Sequence, residues 1–155
     1  MSVTLPKGGL VDRNINIQLE GGVLPTRATN GSAGYDLYAA DDAVVFPGDK
    51  PVLVSAGFRV SMPSGKVMLV CSRSGLSTKG VVVANAPGIV DSDFRGVVKV
   101  ILTATNGLTS TFEIKKGDRI AQALFMDVPN TELTLVESVD QNTSRGTGGF
   151  GSTGK

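Results

Sequence analysis

Many short strands folded into one all-β sandwich or barrel, with a single short helix and a glycine-rich tail, is the architecture that the sequence predicts. Three observations carry it. Apolar and polar residues alternate at period two in stretch after stretch; turn signals recur between the stretches; and no run of ten or more residues shows the 3.6-residue period of an amphipathic helix. At 155 residues the chain has single-domain length. Residues 1–140 read as the β domain and 141–155 as a flexible terminal segment of it.

Ile15, Ile17 and Leu19, separated by polar residues, predict a first half-buried strand that ends at Gly21-Gly22. Turns follow at Asn30-Gly31 and Pro47-Gly48-Asp49. Val52, Val54, Ala56, Phe58 and Val60 then alternate without a break. Beyond the turn at Pro63-Ser64-Gly65, the continuous run Val67 to Cys71 reads as a strand buried on both faces, as do Val81 to Ala84 and Ile120 to Met126. Only Ser74 to Lys79 suits a helix. Val98, Val100, Leu102 and Ala104 supply another alternating strand, bounded by Asn106-Gly107; Lys116-Gly117-Asp118 and Pro129-Asn130 flank the last run. After Val139 the pattern stops.

Composition removes whole classes of function. With 15 basic and 14 acidic side chains the net charge is +1, which gives no electrostatic case for a nucleic-acid surface or an anionic membrane. The chain has no His and one Cys, Cys71, so disulfide frameworks, Cys/His zinc sites and every His-dependent hydrolytic triad are excluded. Neither a secretion-signal pattern nor an apolar run of 18 residues is present, and the expectation is a soluble chain in the reducing cytoplasm. Twenty Gly, against a usual share of about 7%, require tight turns or exposed backbone.

Three segments carry chemistry. Residues 141–155 combine Gly with Arg145, Phe150 and Lys155, and Gly149 to Lys155 spells G-x-x-x-x-G-K, in which bare backbone N–H groups wrap phosphate oxygens. No helix pattern begins there and no βαβ unit surrounds it, so the phosphate-cradling chemistry stands without the P-loop fold. At Cys71-Ser72-Arg73-Ser74-Gly75-Leu76-Ser77, a hydroxyl-rich turn opens the short helix, where free N–H groups with Arg73 suit a phosphate and a Ser-capped turn is the bland alternative. Asn85 to Gly96 is a Pro-Gly loop or hairpin with an aromatic and closely spaced acids. In it Asp91 is either a general base or a local backbone acceptor.

In this order the segments resemble the five motifs of the trimeric deoxyuridine triphosphate nucleotidohydrolases, the dUTPases. Motif one resembles Ala33 to Ala40, motif two Arg73 to Ser77, motif three Gly88 to Gly96, motif four Gly117 to Gln122 and motif five Arg145 to Gly154. The resemblance implies hydrolysis of dUTP to dUMP and pyrophosphate, which limits uracil in DNA and supplies dUMP for dTMP synthesis. It also implies a jelly-roll-like β-barrel of the β-clip type. By the same resemblance the chain is a homotrimer with shared sites, each drawing motif three from a neighbouring chain and motif five from the third.

The implied tasks fall residue by residue. Asp91 orients and deprotonates the water that attacks the α-phosphorus. Asn85, with donor and acceptor on one amide, reads the uracil edge together with the backbone of Gly88, Ile89 and Val90. Arg73, Ser74 and Gly75 hold phosphate, Gln122 contacts the phosphates or their hydration, and Lys99 faces the nucleotide or solvent. Phe150 covers the base while Arg145, Gly151, Ser152 and Thr153 hold the terminal phosphates, making the tail a lid. Mg²⁺ arrives with the triphosphate, and Asp36 reaches it through water. The family usually carries Tyr where this chain has Phe94, whose ring packs under the deoxyribose, and Ile where it has Val90.

Two other readings remain beside this one. A dCTP deaminase of similar fold needs a Glu in the strand after motif three, where this chain has Ile101. A regulatory protein on the same scaffold, its partner contacting Leu5 to Asn14 or Asp41 to Lys50, would coexist with catalysis.

Overall fold

A computed structural model describes residues 14–150. Eleven strands and one helical turn follow one another: β1 (Asn16–Leu19), β2 (Tyr35–Tyr38), β3 (Ala43–Val45), β4 (Val52–Ser55), β5 (Phe58–Ser61), β6 (Lys66–Cys71), α1 (Ser74–Ser77), β7 (Val81–Val83), β8 (Gly88–Asp91), β9 (Lys99–Ala104), β10 (Phe112–Ile114) and β11 (Arg119–Asp127). The fold is all-β with one short helix, as the alternation and turn signals predict. Its strands form four separate sheets, β1-β5, β10-β3, β2-β11-β6-β8 and β4-β9-β7, so the hydrogen-bond ladders do not close into a continuous barrel. Every ladder is antiparallel.

One core joins the sheets. Val54, Phe58 and Val60 from β4 and β5, Met68 and Val70 from β6, and Val98, Val100 and Leu102 from around β9 pack with Leu37, Ile114 and Ile120. Burying such side chains contributes roughly 1.5–3 kcal/mol each before the entropy of ordering them is set against it. Among the described residues no buried side-chain nitrogen or oxygen lacks a hydrogen bond. No helix among them is long and apolar enough to cross a membrane.

Three expectations need correction. The alternation from Val52 to Val60 is two strands, because Gly57 takes φ +67 and the chain turns there. Ala56 still donates its N–H to Val98 O in the register of β4 with β9, but Val98 returns its N–H to Phe58 O, which leaves Ala56-Gly57 as a break between the two strands. Leu19 is half exposed, so the alternation of β1 buries less than it promises. The continuous apolar runs are not buried on both faces: in β6 Met68 and Val70 are buried, whereas Val67, Leu69 and Cys71 lie on a half-open face. β11 departs from strict alternation for a local reason. A register shift between Arg119 and Ala121 puts the consecutive Ile120 and Ala121 both into the core. Regular structure ends at Asp127, and from Val128 to Thr147 every residue is exposed.

Candidate functional site

Paired residues of a ladder share a face, so the register of the four-stranded sheet lays out its outward side. Asp36 lies beside Gln122, Gln122 beside Cys71, Leu69 between Leu124 and Ile89, and Val67 between Met126 and Asp91. Polar residues therefore occupy both ends of this face and apolar ones its middle. Asp91 pairs with Val67, four residues along β6 from Cys71, a separation of about 13 Å at strand rise.

At the Cys71 end, β6 runs into α1, β2 and β11. Arg73 donates from Nε to Asp36 Oδ1 at 2.9 Å and from Nη1 to Arg119 O at 3.3 Å. Arg119 Nη1 approaches Asp36 Oδ2 at 3.4 Å, so one carboxylate lies between two guanidinium groups. Gln122 donates from Nε2 to Ser72 O at 2.8 Å, and its Oε1 lies where a side chain at position 34 would begin. Gly34 is thus bare because the amide of Gln122 occupies that space. Ser72 Oγ accepts the N–H of Val83 at 2.9 Å, fixing the turn to β7.

The turn is not Ser-capped. Arg73 is the N-cap of α1 and makes no capping side-chain bond, while Leu76 and Ser77 donate their N–H groups to Arg73 O. The hydroxyl of Ser74 bonds no described residue, and Gly75 has open space where a side chain would stand. Exposed Ser74 and Gly75 thus follow directly on Arg73, whose guanidinium is held by Asp36.

At the other end, β8 meets β9 across a cleft of about 270 Å³ lined by Leu53, Ile89, Asp91, Phe94, Lys99 and Ile101. Asp91 and Lys99 have no side-chain hydrogen bond or ion pair with any described residue. The turn after β8 is closed by Phe94 N–H to Asp91 O at 3.2 Å, and the Phe94 ring lies over Gly96, leaving no room for a side chain there. Val90 is half-buried, while Ile89 is 69% exposed. Asn85 sits against Gly88 at the start of β8, its Nδ2 3.1 Å from where a Gly88 side chain would begin, so the bare backbone accommodates the amide. Ile101 stands on the cleft wall, and no carboxylate takes its place.

Of the motif-five residues, Arg145 donates from Nε to Gly148 O at 2.8 Å, and Phe150 is fully exposed at φ 51. Gly151, Ser152 and Thr153 lie outside the described residues. Within one chain, then, Asp36, Arg73, Ser74, Gly75 and Gln122 form one cluster and Ile89, Val90, Asp91, Phe94 and Lys99 a second. Asn85 and Gly88 lie beside the first cluster along β6, and Arg145 and Phe150 contact neither.

Sequence reasoning passed over the structural uses of Arg119, Ser72 and Gly34. Arg119 and Gly34 lie within quoted motifs, and the pairing of β11 with β2 is the signal that links Arg119 to Asp36. No group of three or more Cys, Asp or Glu side chains converges as a metal cage among the described residues. Magnesium carried by a triphosphate keeps several waters and needs few protein ligands. Asp36 fits that part, because each carboxylate oxygen retains a lone pair beyond its arginine contact.

Comparison with known proteins places these clusters in a family context. The pattern of the dUTPase family matches residues 21–154. The deoxyuridine 5′-triphosphate nucleotidohydrolase of Nocardia farcinica is 46% identical over 132 residues, covering 84% of this chain and 78% of that protein. The enzyme of the same name from Mycobacterium tuberculosis is 43% identical over 144 residues, covering 89% and 92%. Among solved structures, the Staphylococcus bacteriophage 80alpha dUTPase with dUPNHPP superimposes with TM-score 0.82 at 26% identity, covering 92% of this chain and 99% of the other. A dUTPase variant from phage phi11 of S. aureus, in which a structural Mg(II) ion is coordinated, gives TM-score 0.72 at 26% identity over 82% and 99%.

Proposed function

Because the chain belongs to the dUTPase family and hydrolyses dUTP to dUMP, we propose that it does so by magnesium-assisted attack of an Asp91-held water on the α-phosphorus, in sites shared by three copies. The observation that carries this reading is Asp91 itself. It stands at the end of β8 in a cleft beside an aromatic ring and a lysine, with neither carboxylate oxygen bonded to a described residue. A carboxylate that served the turn would spend its oxygens on nearby N–H groups.

Each remaining residue has a task that its surroundings permit. Asn85 reads the uracil edge with the backbone of Gly88, Ile89 and Val90, and the Phe94 ring packs under the deoxyribose, where a 2′-OH would collide. Lys99 faces the nucleotide across the cleft. Arg73, already aligned by Asp36, works with Ser74 and Gly75 to hold phosphate oxygens, and charge-assisted bonds from a fixed guanidinium serve that purpose well. Gln122 holds Ser72 and so sets the height of the phosphate turn. Arg145, Phe150, Gly151, Ser152 and Thr153 close over the bound nucleotide. Magnesium bound with the triphosphate would supply charge neutralisation to the phosphates, and Asp36 would hold it through water.

The same layout supports the reading as a trimer. Asp91 and the Arg73 cluster lie at opposite ends of one sheet face, and the described part of the tail reaches neither, so the described residues of one chain do not assemble the whole constellation. The apolar middle of that face also needs a cover: Ile89 is 69% exposed, and further along the chain Leu133 and Leu135 are 99% and 98% exposed. Large apolar side chains left open in this way mark a protein contact. The production of dUMP, a precursor of dTMP, and the removal of a route for uracil into DNA are the consequences in the cell.

Incubation with dUTP and Mg²⁺, with pyrophosphate as the readout and dCTP in parallel, tests the reaction. Pyrophosphate from dUTP and no ammonia from dCTP is the expected result. Light scattering at micromolar concentration should give three times the chain mass, and a fully active monomer would overturn the shared site.

A further inference from the structure

We propose that Arg59 is a positioning residue for sugar discrimination: with Glu20 as its anchor, it holds the 91–96 turn, and thereby the Phe94 ring, in place. This rests on the reading of Phe94 as the group that meets the deoxyribose.

Arg59 lies on β5, where the ladder sets it beside Gln18 of β1. Its Nε donates to Glu20 Oε1 at 2.8 Å, and Gln18 Nε2 donates to the same oxygen at 3.0 Å. Glu20 is itself fixed, since its N–H donates to Gly57 O at 2.7 Å. That approach needs bare backbone on both sides. A side chain on Gly22 would begin 2.5 Å from Ala56 O, and the positive φ of Gly57 belongs to the region that glycine favours. From this anchor, Arg59 Nη1 reaches across to Arg95 O at 2.7 Å.

The turn that receives this bond has few other supports. Arg95 folds back on its own loop, donating from Nη1 to Ser92 O at 2.7 Å and to Phe94 O at 2.9 Å. The Phe94 ring is 42% exposed. Steric exclusion of one hydroxyl requires a wall held within about 0.5 Å, and a half-exposed ring on a surface turn does not provide that by packing alone. The bond from Arg59 ties the turn to the β1-β5 ribbon from outside. A guanidinium suits this task, because its planar fork reaches two acceptors in fixed directions, as an ammonium does not.

The test is the ratio of kcat/KM for dUTP to that for UTP, measured on the full-length protein. In Arg59→Ala the ratio should fall about threefold to tenfold, as expected for one partly exposed charge-assisted hydrogen bond. Arg59→Lys should restore part of it. A purely structural loss would lower both substrates together and leave the ratio unmoved, and a ratio within about twofold of wild type in folded Arg59→Ala overturns the proposal. If Arg59→Ala does not fold, Glu20→Ala, which removes the anchor and leaves Arg59, should shift the ratio in the same direction, and no shift there overturns it equally. Phe94→Ala separates the two levels of inference. A collapsed ratio in Phe94→Ala with an unchanged one in Arg59→Ala rejects the brace alone, whereas an unchanged ratio in Phe94→Ala rejects both readings.

Discussion

At the Cys71 end of the outward sheet face, Arg73 and Arg119 close on Asp36 while Gln122 holds Ser72. At the other end Asp91 stands without a side-chain partner among the described residues, and the described part of the tail, which carries Arg145 and Phe150, bonds there only to itself. The difference separates two ways of building a site. In the first cluster the side chains of Asp36, Arg73 and Gln122 are already bonded within the chain, so the proposed phosphate would meet a preorganised surface, and the cost of ordering it belongs to folding. In the cleft and the described part of the tail, bonding capacity is left open, and the proposed nucleotide would use it.

If that distinction holds, substitutions in the reserved region should change activity and leave stability alone. Asp91→Asn should keep nucleotide binding and lose turnover by about 10² to 10⁴, the range for a positioned general base, with melting temperature unchanged. A loss below about tenfold would mean that the base lies elsewhere. Truncation after Gln141 comes next. Turnover should fall by about 10² or more, because positioning and charge stabilisation carry most of phosphoryl transfer, while the oligomer and its unfolding curve stay as they are.

The preorganised cluster should behave in the opposite way. Asp36→Ala leaves two arginines facing each other without their carboxylate, and stability should drop by about 1–3 kcal/mol, visible as a lower urea midpoint with activity reduced in parallel. Unchanged stability would show that the cluster is held by other contacts. Phe94→Tyr should have the smallest effect, a change in kcat/KM worth no more than one net hydrogen bond, about 0.5–1.5 kcal/mol. A larger gain would mean that the Phe ring leaves a polar group of the site unsatisfied.

The same contrast explains what was legible in the sequence. Local signals were reliable for the helix at Ser74 and the alternation of β4, β5 and β9, which depend on neighbours a few residues away. The hairpin alternative for Asn85 to Gly96 failed, because β8 pairs with the distant β6 and not with a strand of its own segment. The Ser-capped reading of the 71–77 turn failed because Ser72 Oγ bonds Val83 N–H, across to β7, while Arg73 takes the N-cap position. Both-face burial failed for Val67 and Leu69 because a continuous apolar run looks the same whether its second face meets the chain's own core or waits for a neighbour. The bridging roles of Arg59 and Arg119 were beyond reach for a related reason. Arg59 meets Arg95 36 residues away, and Arg119 meets Asp36 83 residues away. Such pairs become visible only once the ladders fix which strands are adjacent.

The separation of Asp91 from the Arg73 cluster along β6 has a genetic counterpart. Two defective proteins, Asp91→Asn and Arg73→Ala, are each expected to be inactive when pure. If three copies share each site, the two proteins, unfolded and refolded together, should form mixed trimers in which an intact Asp91 from one chain meets an intact Arg73 from another. Some activity would then return from two dead parents, in proportion to the fraction of mixed assemblies. A cell carrying both alleles would tolerate what neither tolerates alone, and dominance among such alleles would follow from which end of the sheet each one damages.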